Sequence, residues 1–301
     1  MRVVVALGGN ALLQRGESPD ASTQEDNVRR AVASIAELAR RHDVVVTHGN
    51  GPQVGLLALE SEHDRSLTAP YPLDVLGAET EGMVGYWLQR ELTNELPGRD
   101  IVTVLTQTVV DPSDPAFADP AKFIGQVYDE AYALRIADQL GWTVKPDGAH
   151  WRRVVPSPAP IEFIELGSIK TLVDSGALVI CAGGGGVPVV RTPHGLQGVE
   201  AVVDKDRAAA LLGRQLGADI LLLLTDVAAV QAHFGTPDAR PLGRVTTREL
   251  RAMSFPAGSM APKITAACDF VEAGGRFAAI GALDRALELS TGTTGTVVER
   301  G

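Results

Sequence analysis

Apolar positions in this chain fall into short unbroken runs, each followed by a longer stretch in which they recur every three or four residues. Six runs stand out, at 3–7, 44–47, 101–106, 177–182, 220–225 and 277–280. They are continuous rather than alternating, the pattern of strands buried on both faces of a parallel sheet. Between the first two runs, Val28, Ala31, Val32, Ile35, Leu38 and Ala39 form one stripe at helical spacing. Further helices are predicted over 74–96, 205–216 and 262–273. Strands alternating with helices predict an α/β sandwich with right-handed crossovers. The rhythm breaks over 111–160, which is rich in proline and carries Phe117, Phe123, Tyr128, Tyr132, Trp142 and Trp151. This stretch is either a surface excursion with its own apolar cluster or a lid over an active site, and Lys122 lies inside it.

Three of the runs end in glycine-rich turns: "VVVALGGNALL" from Val3, "VVVTHGNGPQVG" from Val44 and "LVICAGGGGVPVV" from Leu178. Glycine after a strand permits an unusual turn and leaves no Cβ between backbone amides and a ligand. Successive N–H groups then form an anion site, reinforced where a helix begins. One such turn is equally well explained by a close helix–strand contact. Three at the ends of parallel strands gather along one sheet edge, where open α/β folds bind ligands, and together they predict a phosphate-handling cleft. The common phosphate motifs are absent. No G-x-x-x-x-G-K-[ST] run occurs, and Gly49-Asn50-Gly51 with Gly55 is one residue too long for the dinucleotide fingerprint.

Charge narrows the chemistry. With 301 residues, 45% hydrophobic and 21% charged, the chain has an ordinary globular composition. Its net charge of -10 argues against nucleic acid or anionic lipid as a partner. No apolar run is long enough to span a bilayer, the N-terminal run reads as a strand rather than a signal peptide, and a cytoplasmic location is expected. Cys181 and Cys268 read as buried small hydrophobes, and the six histidines show no metal-ligand spacing, so no resident metal site is expected. Only five lysines stand against 22 arginines. Lys205 lies in "GVEAVVDKDRAAALLG", between Asp204 and Asp206 and just ahead of an alanine-rich helix. Asp204 and Asp206 serve either the helix terminus as cap and dipole partner, or a reaction centre in which Asp206 holds Lys205 beside a transferring phosphoryl group. Lys263 opens another helix behind the glycine–serine turn of "FPAGSMAPK", and Thr225-Asp226 end a buried strand at a usual rim position for a nucleotide. Phosphoryl transfer asks mainly for alignment and positive charge, which lysines converging on glycine turns supply.

Read together, "ALGGNALL", "THGNGPQVG", "YPLDVLGAETEGMVGYWLQREL", "VVPSPAP", "GGGGVPV", "GVEAVVDKDRAAALL", "LLTDVAAV" and "FPAGSMAPK" resemble the carbamate kinases, within the amino acid kinase fold family. The likeness runs in order from Arg2 to about Val298. It implies a homodimeric three-layer αβα sandwich with a central, mainly parallel sheet. It also implies reversible phosphoryl transfer between ATP, carrying Mg2+, and carbamate. The chain would be one domain over 1–301, with 111–160 as an inserted protruding lid. The N-terminal half would hold carbamate or carbamoyl phosphate, and 165–301 the nucleotide. By motif, Gly8, Gly9, Asn10, Gly49, Asn50 and Gly51 would contact the acceptor. Gly184, Gly185, Thr225, Asp226, Gly258, Met260 and Lys263 would lie near the nucleotide. Lys122, Lys205, Asp206 and Lys263 would be catalytic. Many members of the fold family carry a lysine in the first strand where this chain has Ala6, and Lys122 in "DPAKFIGQVY" matches the lid lysine that takes its place. The lid motif departs from the usual P-T-K-P-I-G-P at Ala121, Phe123 and Gln126, and Ala261 and Gln231 replace a glycine and a tyrosine. These departures leave open a related kinase with another acceptor, or a binding protein with little turnover.

Overall fold

A computed structural model describes residues 1–14, 16–255 and 260–301. All six predicted strands form, and all lie in one eight-stranded sheet. Its order is Arg244–Thr246, Thr296–Glu299, Phe277–Ala282, Ile220–Thr225, Arg2–Leu7, Asp43–His48, Leu178–Cys181 and Ile101–Val104. Neighbours are parallel except Phe277–Ala282 against Thr296–Glu299, so the sheet is mainly parallel, as expected. Alternate residues of each strand point to opposite faces and find different partners. Val4, Ala6, Val45, Leu221 and Leu223 pack under the helices Lys205–Leu216 and Met260–Glu272. Val3, Val5, Val44, Val46 and Leu222 pack under the helices Ala21–Ala39 and Leu73–Glu95. Helices on both faces of a sheet give the αβα layering, and each aliphatic side chain wholly buried in those seams contributes about 1.5–3 kcal/mol.

The register decides where the site forms. Leu7 stands between His48 and Leu224, while Val46 pairs with Ile180. The chain therefore leaves strand after strand at the same carboxyl edge, directly into Gly8-Gly9, Gly49–Gly51, Gly183–Gly185 and Thr225-Asp226. One strand is shorter than its apolar run. The run at 101–106 ends as a strand at Val104, because Thr106 turns back to donate its hydroxyl to the Val104 carbonyl at 2.7 Å. Gln107–Val110 then joins a separate four-stranded sheet with Gly195–Gly198, Val187–Thr192 and Pro160–Phe163.

The irregular region beginning at 111 carries its own structure. Strands Lys122–Tyr128, His150–Val155 and Thr143–Asp147 make a three-stranded antiparallel sheet, backed by the helix Glu130–Leu140. Ile124 and Val155 enter a third apolar cluster with Val54, Ala58, Leu73, Leu76 and Val202, which fastens this small sheet to the body beside the carboxyl edge.

Candidate active site

Three lysines far apart in sequence end on two neighbouring carboxylates. Lys205 Nζ lies 2.5 Å from Asp206 Oδ1, and Lys263 Nζ lies 3.1 Å from Asp206 Oδ2. Lys122, reaching in from the small sheet, places Nζ 2.5 Å from Asp204 Oδ2. Local structure explains the arrangement. Asp204 is the N-cap of the helix Lys205–Leu216, its Oδ1 accepting from the backbone N–H groups of Asp206 and Arg207 at 3.0 and 3.2 Å. With one oxygen spent on the cap, the other faces Lys122. Asp204 is thus the cap that the sequence offered and also takes Lys122, while Asp206 makes the expected contact with Lys205. Asp206 sits in the first helical turn, buried like Lys263, which comes from the first turn of Met260–Glu272.

Burial and charge set the protonation states. Burial raises the Asp204 carboxyl, but Lys122 and Lys205 outweigh it and hold the group well below the usual carboxylate range. Burial pushes Lys205 below its ordinary value, opposed by Asp206 and reinforced by Lys263. Three ammonium groups and two carboxylates leave the cluster with one net positive charge, the balance that suits a phosphoryl group gaining negative charge in flight.

The glycine turns adjoin this cluster. A Cβ built on Gly49 would stand 3.0 Å from both Lys205 Cδ and Gly9 N, so the first two turns and the Lys205 stem share one surface. Gly8 N donates to Leu224 O at 3.0 Å, bringing the first turn beside Thr225. Asn10 lies in the short 3-10 turn Gly9–Ala11, and Gly51 starts the helix Gly51–His63 with Asn50 at its cap position. The third turn leans on the second. Gly184, at φ +64, approaches Asn50 so closely that a Cβ would lie 2.2 Å from Nδ2. Asn50 Nδ2 donates to Thr80 Oγ1 at 2.8 Å. Gly185, beside Val203, leads toward Asp204. Thr225 donates its hydroxyl to Asp226 Oδ1 at 3.0 Å on the opposite flank, and Met260 begins the helix that carries Lys263. Gly258 lies outside the described residues.

An amino acid kinase model, described as the amino acid kinase family, matches residues 1–281. The chain belongs to the amino acid kinase family. A carbamate kinase of Rhizobium meliloti is 52% identical over 302 residues, 99% of this chain and 93% of its own length. Another from Thermococcus kodakarensis is 47% identical over 312 residues and covers 99% of both. The carbamate kinase of Giardia lamblia bound to citric acid superposes with a TM-score of 0.94 at 39% identity, over 100% of this chain and 98% of its own. The same Giardia enzyme bound to AMP-PNP gives 0.90 at 40% identity, with the same coverage.

Within this amino acid kinase site, the structure adds Glu81, Thr106 and Thr47, which sequence reasoning passed over. Glu81 is buried and binds two segments at once: Oε1 accepts from Gly183 N at 2.9 Å and Oε2 from Thr106 N at 3.1 Å. Burial pushes its carboxyl up to about 8, against the pull of those two N–H groups. Thr106 and Thr47 brace the same turn, Thr106 Oγ1 accepting from Ala182 N and Thr47 Oγ1 donating to Ala182 O. The signal for Glu81 was present, since it falls on the buried stripe Leu73, Leu76, Thr80, Val84, Leu88 of its helix. An acid on an apolar stripe needs a partner. His48, fully buried, donates from Nδ1 to Gly49 O at 3.1 Å. Burial holds it at about 4, with the Lys205 charge adding to the effect, so it remains neutral beside the cations.

Proposed function

We propose that the chain catalyses reversible phosphoryl transfer between carbamoyl phosphate and ADP, giving ATP and carbamate. The observation that carries this reading is the meeting of Lys122, Lys205 and Lys263 on Asp204 and Asp206 beside glycine turns from three strands. A β-phosphate oxygen of ADP attacks the phosphorus, the bond from phosphorus to the carbamate oxygen breaks, and carbamate leaves with that electron pair. Little covalent help is needed from the protein, so alignment and charge carry the catalysis.

In this reading Gly8, Gly9, Asn10, Gly49, Asn50 and Gly51 hold carbamoyl phosphate through backbone amides and the helix N-terminus at Gly51. Lys205 follows the moving phosphoryl group, with Asp206 keeping its ammonium aimed. Lys263 neutralises the nucleotide phosphates, and Thr225, Asp226, Gly258 and Met260 line the nucleotide side. Gly184 and Gly185, matched by motif to the nucleotide side, also back the acceptor turn, a place supported by the contact of Gly184 with Asn50. Segment 111–160 acts as a lid delivering Lys122, a role supported by its separate sheet and the ion pair to Asp204. Magnesium arrives with the nucleotide as part of the substrate, since the carboxylates of the cluster are engaged by lysines. A homodimer belongs to the same reading. The exposed Tyr86 and Leu105, beside a hollow of about 470 Å3 at the edge strand Ile101–Val104, offer a face for a second copy, which sedimentation of the intact chain tests.

The deciding experiment measures ATP formation from carbamoyl phosphate and ADP with magnesium, for the wild type and Lys205→Ala. The wild type turns over robustly. The variant loses about 10³-fold in kcat while its ADP affinity stays within about threefold. A variant that loses only affinity refutes the role given to Lys205, and a wild type that binds ADP without turnover refutes the function.

A further inference from the structure

The lid strand meets the body at a point with no side chain on either side. Gly55 lies in the second turn of the helix Gly51–His63, and Gly125 lies in the strand Lys122–Tyr128. A Cβ built on Gly55 would fall 1.9 Å from Gly125 Cα and 2.2 Å from its nitrogen. Side chains with an ordinary Cβ stay beyond about 3.4 Å, so an alanine there would force the strand back by roughly 1.5 Å. The contact is held from the lid side too. Gly125 has φ +72, and its carbonyl accepts from Arg152 Nε at 2.8 Å. Next to it, Ile124 is fully buried against Val54 and Ala58 of the same helix.

This seat is short in both directions. Lys122 stands three residues before Gly125, about 10 Å along an extended strand. Gly55 stands one helical turn beyond Gly51, at the end of the glycine turn assigned to the acceptor. The helix that receives carbamoyl phosphate in our reading is therefore the surface on which the lid strand comes to rest.

We propose that Gly55 is a positioning residue for the reaction: by letting the Gly125 backbone rest directly on the helix, it fixes how far Lys122 reaches into the site. The proposal rests on the reading of Lys122 as a reacting cation. A misplacement of about 1 Å at a reacting group can cost on the order of 10²-fold in rate, so Gly55→Ala should lower kcat by 10- to 100-fold.

The test is a double-mutant cycle with Lys122→Ala, read as kcat for ATP formation and as ADP affinity. Acting through Lys122, Gly55→Ala costs 10-fold or more in the wild-type background, less than about threefold in the Lys122→Ala background, and leaves ADP affinity within about twofold. Hydrogen exchange then speeds up in the strand Lys122–Tyr128 and stays slow in Arg2–Leu7. Equal losses in both backgrounds overturn the proposal, because the glycine would then matter for something other than Lys122. So does a Gly55→Ala enzyme with wild-type kcat. Lys122→Ala with full activity removes the underlying reading, and the positioning role with it. Should Gly55→Ala fail to fold, Gly125→Ala runs the same cycle from the lid side, its Cβ lying 3.3 Å from Gly55 Cα and its left-handed φ adding backbone strain within the same strand. It should show the same dependence on Lys122.

Discussion

Asp206→Asn removes one charge without changing shape, and the structure sets what that should cost. The Asp206 side chain is only 4% exposed and takes Lys205 at 2.5 Å and Lys263 at 3.1 Å. At an effective dielectric constant of about 20, each contact is worth roughly 5–7 kcal/mol of attraction, partly offset by the several kcal/mol needed to desolvate the carboxylate. Removing one partner of a buried pair typically costs about 3–5 kcal/mol, and here two ammonium groups lose their shared counter-ion together. Asparagine leaves no cavity and keeps one acceptor oxygen, so the loss should be electrostatic, with Tm falling by about 6–15 °C. The dependence on pH identifies the cause. Burial already holds Lys205 below its ordinary value, and the charge of Asp206 is the largest influence opposing it. Without that charge Lys205 falls lower still. The unfolded lysine keeps its ordinary affinity for protons, so between the lowered folded value and that ordinary one the unfolded variant binds more protons than the folded one, and its stability rises with pH. The deficit against wild type should therefore be smaller at pH 9 than at pH 7, measured by denaturant unfolding at both. A deficit under about 1 kcal/mol, or one independent of pH, would refute the electrostatic account of the cluster.

Two further outcomes follow from the third turn. Glu81, held at about 8 against an ordinary 4.5, keeps a proton in the folded chain that the unfolded chain releases, so this group makes stability fall as pH rises from about 5 to 8, by about 4 kcal/mol over the window. Glu81→Gln should flatten that slope in urea unfolding across the same range, and parallel profiles for the two proteins would contradict it. Gly184→Ala puts a Cβ 2.2 Å from Asn50 Nδ2 at a backbone angle that disfavours side chains. It should raise KM for carbamoyl phosphate about 10-fold or more while KM for ADP changes less, and an equal rise in both would detach the turn from the acceptor side.

Five of the six strands legible in the sequence lie inside the sheet, buried on both faces and almost wholly apolar, whereas Ile101–Val104 lies at its edge and was legible from its aliphatic run alone. Arg244–Thr246 and Thr296–Glu299 escaped notice because each is short and polar at its ends, lying at the sheet's margin. The helix Gly51–His63 was hidden by its own beginning, since Gly51-Pro52 read as the continuation of a turn. Lysines were conspicuous as candidates because they are few. Their meeting was not readable from spacing, for Lys122 and Asp204 are 82 residues apart and Lys263 and Asp206 are 57. Only the register of the parallel strands and the docking of Ile124 bring them to one edge. The pairing of Asp204 with Lys122 was not legible, because a sequence does not show that a carboxylate with one oxygen on a helix cap has the other facing elsewhere.

The same geometry gives a physical reason for alanine at position 6. Ala6 is fully buried between Thr47 and Leu223, one residue before the strand opens into the glycine turn. A lysine in the first strand would be a permanent fixture of the site. Lys122 stands instead on a small sheet held by one apolar cluster, and its side chain is 29% exposed, against 12% for Lys205 and 6% for Lys263. Withdrawing it leaves Lys205, Lys263, Asp204 and Asp206, which sum to zero; seating it returns the net positive charge. On the proposed reading, the charge that stabilises the migrating phosphoryl group is complete only when the lid is down, and water is displaced by that same movement. In that proposal a cation carried by the lid makes charge and closure a single event, which a lysine fixed at position 6 could not do.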